Sequence, residues 1–97
     1  MVTLEIASPV AESVIHRFEP AKRPADLAGA RIGLYWNYKP GGNDGLDRVE
    51  QVLSQRYPTA TFLRVEGSSG ATVRHVTPAD ADSIAQRCDV VIGTTGD

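Results

Sequence analysis

The sequence is short of most features that would assign it to a specialised class. It holds one cysteine, Cys88, which excludes an internal disulfide. Ten Lys and Arg against twelve Asp and Glu leave a net charge of −2, without the concentrated basic face of a nucleic-acid binder. No apolar run approaches the roughly 20 residues of a membrane span. The first residues, Met1-Val2-Thr3-Leu4-Glu5-Ile6, lack the basic and apolar regions of a signal peptide. The two histidines, His16 and His75, have no neighbour at metal-ligand spacing, so no metal is expected. Neither a Gly-Lys-Ser/Thr phosphate loop nor a Gly-x-Gly-x-x-Gly fingerprint occurs, and no cofactor is expected. These absences point to a soluble cytoplasmic protein, with no nucleic-acid or membrane partner.

What is present is an alternation of strand and helix patterns. With 97 residues the chain has room for one domain. Val2 to Ile6 alternates like a short strand, and residues 7–28, with Pro9, Pro20 and Pro24, read as an extended arm. Residues 1–28 thus form an N-terminal strand and arm, and residues 29–97 the domain proper. Arg31–Trp36 is the first core strand. A turn-rich loop, Asn37–Asp44, follows, and Asn43 or Asp44 is expected to cap the next helix. Leu46, Val49, Val52, Leu53 and Tyr57 recur at helical spacing up to Pro58. Thr59–Glu66 is β-rich, with Ala60, Phe62 and Val65 as core. Thr77-Pro78-Ala79-Asp80 is a helix start with a threonine cap, a proline at the first helical position and an acid three residues after the cap. Val90-Val91-Ile92 reads as a parallel strand buried on both faces. The order strand–helix–strand–helix–strand predicts a three-layer α/β fold with a mainly parallel sheet, half of a flavodoxin- or Rossmann-like domain, completed by another chain.

Two segments fall at carboxyl ends of strands, where open α/β sheets collect ligands. In the first, Lys39 supplies a charge for a carboxylate or phosphate, Asn37 can orient a substrate, and Gly41 and Gly42 permit close backbone approach. The second, Gly93-Thr94-Thr95-Gly96-Asp97, brings two hydroxyls, two glycines and an acid. Each can equally be a plain turn. Cys88, at a helix-to-strand junction, reads as a small buried thiol and not as a nucleophile. Trp36 belongs to the core or an interface, or walls a pocket.

The stretch Gly33-Leu34-Tyr35-Trp36-Asn37-Tyr38-Lys39-Pro40, the helix ending Gln55-Arg56-Tyr57-Pro58, and Asp89–Asp97 together resemble the N-terminal half of UGSC-like proteins, over roughly residues 27–97. That family pairs a strand and an Asn-x-Lys-Pro loop with a later strand ending in Gly-Asp, followed by Cys-Gly-Ser-Cys or its selenocysteine form. The resemblance implies a site lined by Asn37, Lys39, Thr94, Thr95, Gly96 and Asp97. Lys39 and Asp97 would be its catalytic groups and Asn37, Lys39, Thr94, Thr95 and Gly96 its substrate-binding ones. The reactive cysteine would fall just beyond Asp97, on a second polypeptide of a higher oligomer. A gene split, a truncation or cleavage of an Asp–Cys bond would each produce this arrangement. Cleavage would free an α-amino group of pKa ~7.7–8.0 beside the new thiol. The expected function is therefore one subunit or processed fragment of a heteromeric, thiol-dependent enzyme acting on a small carboxylated molecule. The alternative is a non-catalytic structural or small-ligand- or phosphate-binding α/β module.

Overall fold

The computed structural model describes residues 17–96; the expected strand at Val2–Ile6 and the residue Asp97 lie outside the described residues. Strand β1 (Arg31–Trp36) leads to helix α1 (Gly42–Arg56), strand β2 (Thr61–Val65), helix α2 (Pro78–Arg87) and strand β3 (Val90–Thr94). The strands form one parallel sheet in the order β2-β1-β3. The protein is an α/β protein built on this sheet. Residues 17–24 enter no helix or strand and are exposed.

β1 is central: it is paired on both edges and is the most buried of the three strands. Arg31–Tyr35 align with Thr61–Val65, and Ile32–Trp36 align with Val90–Thr94. Successive side chains of a strand point to opposite faces. Ile32 and Leu34, both fully buried, join Ala30 and Leu46 in one cluster, with Trp36, Val49, Leu53, Phe62 and Ile92 packed around it. Tyr35 packs against a second cluster of Val65, Ile84 and Cys88. The expected apolar stripe of α1 is what fills the first cluster, through Leu46, Val49 and Leu53.

α2 starts as its sequence predicts. The Thr77 hydroxyl accepts from the Asp80 N–H at 3.1 Å, and the Asp80 carboxylate accepts from the Thr77 N–H at 3.0 Å, a complete capping box. Asp80 also accepts from the Ser68 N–H and hydroxyl, at 2.8 and 2.7 Å. These donors, the Thr77 backbone first, hold its carboxyl well below the usual carboxylate range. The start of β3 is fastened by Asp89, which takes an ion pair of 3.0 Å from Arg31 and a bond of 2.8 Å from the Arg31 backbone N–H. The Arg31 side-chain hydrogen bond lowers the Asp89 pKa and raises that of Arg31.

Two expectations are corrected. α1 is not capped by Asn43 or Asp44, which lie inside its first turn; the N-cap is Gly41, with φ 91° and no side-chain cap bond. That left-handed backbone favours glycine and sets the helix start two residues earlier. Val90–Ile92 is not buried on both faces. Among the described residues β3 borders only β1 and is an edge strand, and Val91 keeps 48% of its surface exposed. An apolar run cannot say whether a strand is central or marginal, because that depends on the order of pairing.

Candidate functional site

Strand order 2-1-3 gives the sheet a switch point. The chain leaves β1 through α1 toward β2 on one side, and returns through α2 to β3 on the other. The crevice outside the carboxyl ends of β1 and β3 is where such sheets bind ligands. Both expected segments meet there. The Asn37 side-chain amide donates to the Thr95 hydroxyl at 3.1 Å, across 58 residues of sequence. Its carbonyl oxygen accepts from the Lys39 N–H at 3.2 Å, a local turn that sets the loop. Gly96 packs under the same loop. A Cβ there would lie 2.6 Å from the Lys39 carbonyl oxygen and still nearer that of Pro40, so only glycine permits the approach.

The positions of the expected residues are uneven in what they leave free. The Thr94 hydroxyl donates to the Gly42 carbonyl at 2.7 Å, fastening β3 to the first turn of α1. Thr95 accepts from Asn37 and keeps its own hydroxyl proton for another acceptor. Lys39 is exposed, and its ammonium enters no ion pair among the described residues. The start of α1 lies beside them without a side-chain cap; the Gly42 N–H donates to the Lys39 carbonyl at 3.3 Å and the Gly45 N–H to the Gly41 carbonyl at 3.2 Å. Asp44, in the same turn, offsets part of the positive field of that helix end.

Sequence reasoning missed a group of side chains at the same lip. Tyr38 stands in left-handed backbone at φ 73°, which for a bulky residue costs on the order of 1 kcal/mol or more. That turn lays its ring on Trp36, with centroids 4.6 Å apart and planes 18° from parallel. The Trp36 indole N–H donates to the Lys39 carbonyl at 2.8 Å. The Tyr38 hydroxyl donates to Glu66, and this hydrogen bond raises the Tyr38 pKa. The loop between β2 and α2 brings in Arg74, whose guanidinium carbon lies 5.1 Å from the Tyr38 ring centre. Its backbone N–H donates to the Asn37 carbonyl at 2.9 Å, and its carbonyl accepts from the Tyr35 hydroxyl at 3.1 Å. The faint advance signal is a lone arginine in a loop after the carboxyl end of β2.

The thiol lies elsewhere. Cys88 is buried before β3, at the end of that strand remote from the lip, and a Cβ on Gly33 would sit 2.8 Å from its sulfur. Among the described residues no cluster of His, Cys, Asp or Glu could hold a metal ion, and no helix is long and apolar enough to cross a membrane.

A model of the UGSC family matches residues 5–97. The chain belongs to the UGSC family. The match covers both lip segments, the Asn37–Lys39 loop and the Thr94–Gly96 turn, which the family resemblance had paired. No curated protein and no solved structure matches this UGSC-family chain.

Proposed function

We propose that this chain builds the walls of a thiol-dependent active site that acts on a small carboxylated molecule. The observation that carries the reading is the union of two distant segments at the switch point: Asn37 bonded to Thr95, with Gly96 seated under the Lys39 and Pro40 carbonyls. Lys39 supplies the charge that meets the substrate carboxylate. The remaining proton of the Thr95 hydroxyl, with the positive end of the α1 dipole beside it, orients the substrate or stabilises a developing oxyanion. Thr94 serves by holding α1 against β3. The chain's own thiol is buried away from this lip, so the reactive cysteine comes from another segment, carried by a partner polypeptide.

The same reading gives the fold its completion. Two apolar clusters on alternate residues of β1, one holding Leu46 of α1 and the other Ile84 of α2, support a three-layered arrangement. The edge position of β3, the exposed Val91 and the groove lined by Val49, Val52, Leu53 and Ile92 beside Arg48 support further structure packing beside β3 from another chain.

The test is Lys39→Ala in the native assembly. The proposal predicts loss of activity with the assembly intact by native mass spectrometry. Unchanged activity, or failure only through lost assembly, supports the structural-module alternative instead.

A further inference from the structure

The lip carries a guanidinium that Asn37 and Lys39 do not account for. Arg74 is fixed by its backbone, through bonds to the Asn37 carbonyl at 2.9 Å and from the Tyr35 hydroxyl at 3.1 Å. Neither bond uses its side chain. The guanidinium is held by stacking, 5.1 Å from the Tyr38 ring centre, and Tyr38 in turn stacks on Trp36. Arg31 and Arg64 are each paired with carboxylates, but among the described residues no acid pairs with Arg74. Glu66 accepts from the Tyr38 hydroxyl. The Arg74 Nε is out of solvent without an acceptor, so packing and not hydrogen bonding positions the group. A charged donor in that state is left short of partners, a condition that native proteins rarely keep without a use. The unusual backbone of Tyr38 is what places the ring beneath it.

We propose that Arg74 anchors the ligand's carboxylate at the lip, presenting its planar donor edge to both oxygens while Lys39 adds a second charge. This rests on the reading that the lip takes a small carboxylated molecule, and it names the group that selects for the carboxylate. A guanidinium stacked on an aromatic ring is pre-organised for two-point recognition, which a lysine ammonium is not.

The test is titration of the full chain with malonate at constant ionic strength. It is followed by the emission of Trp36, the chain's single tryptophan, and by the Nε–H resonances of its arginines. Saturable movement of the Arg74 Nε–H signal and of Trp36 emission is the expected result. Arg74→Lys keeps the charge and loses the fork, and binding should weaken by about tenfold or more; Arg74→Gln should weaken it further. Wild-type affinity in both variants overturns the inference, as does a wild-type chain whose Arg74 resonance does not respond. If Lys39→Ala weakens malonate binding and the Arg74 variants do not, the carboxylate-site reading stands and the role of Arg74 falls. If neither change matters, both fall.

Discussion

Gly42→Ala sets local propensity against packing, and the structure decides between them. Gly42 is the first residue of α1, and alanine is favoured over glycine inside helices by up to about 1 kcal/mol. On that ground alone the substitution should stabilise the protein. Yet Gly42 is buried, and a Cβ there would lie 2.9 Å from Trp36 Cδ1, 3.0 Å from Trp36 Nε1 and 3.2 Å from the Gly96 nitrogen. Favourable carbon contacts begin near 3.5 Å, so the indole must move by about half an ångström. It cannot do so freely, because its ring stacks on Tyr38 and its N–H is committed to the Lys39 carbonyl at 2.8 Å. Overpacking of this kind costs about 1–3 kcal/mol, and loss of the indole bond about 1 kcal/mol more. The propensity gain is smaller and is weakest in the first turn. A net loss of about 1–3 kcal/mol corresponds to a Tm lower by roughly 5–20 °C in a domain of this size. Thermal unfolding by circular dichroism measures the loss, and Trp36 emission reports the displacement of the ring. A Tm equal to or above wild type, with an unchanged emission spectrum, would refute the claim that the lip is packed this tightly.

Other consequences follow from the same geometry. Thr77→Ala removes the hydroxyl of the α2 capping box and should cost about 0.5–2 kcal/mol, read as a lower midpoint in urea unfolding. Asp80 and Asp89 have folded-state pKa values below their unfolded ones. Their contribution is therefore complete above the unfolded value of about 4 and is lost as pH falls through the depressed folded values. Tm should be level from pH 7 to about 5 and fall below about 4, and Asp80→Asn should flatten that fall; an acid slope unaffected by Asp80→Asn would contradict the assignment. Thr94→Val keeps the shape and removes the bond to the Gly42 carbonyl, so it should lower stability by about 1 kcal/mol in denaturant titration.

What could be read from the sequence was whatever is encoded locally. The Thr77-Pro78-Ala79-Asp80 start of α2 is written in adjacent residues and forms as written. The stripe Leu46, Val49, Leu53 places α1 against the sheet by its spacing alone. The two lip segments could be picked out because each follows a strand, and in parallel folds strand ends gather at one edge. Their pairing through Asn37 and Thr95 needed the strand order, which the helix–strand alternation constrains without stating. Arg74 was beyond reach for a different reason. Its place depends on how the loop after β2 folds back on Asn37 and Tyr35, contacts 37 and 39 residues distant in the chain. The exposure of Val91 depends on β3 being an edge strand, and the cap at Gly41 on a left-handed backbone that Asn43 and Asp44 outweigh as cap residues in sequence.

The central claim is that a thiol from another segment comes to the Lys39 lip. Its most direct test is short-arm amine-to-thiol crosslinking of the native assembly, followed by peptide mass spectrometry. The sequence makes the experiment clean, since Lys22 and Lys39 are its only lysines and Cys88 its only cysteine. Cys88 is buried, so its thiol does not compete for the reagent. The account predicts a product joining Lys39 to a cysteine other than Cys88. Efficient modification of Lys39 by the reagent's amine-reactive arm without any Lys39–cysteine product would contradict it.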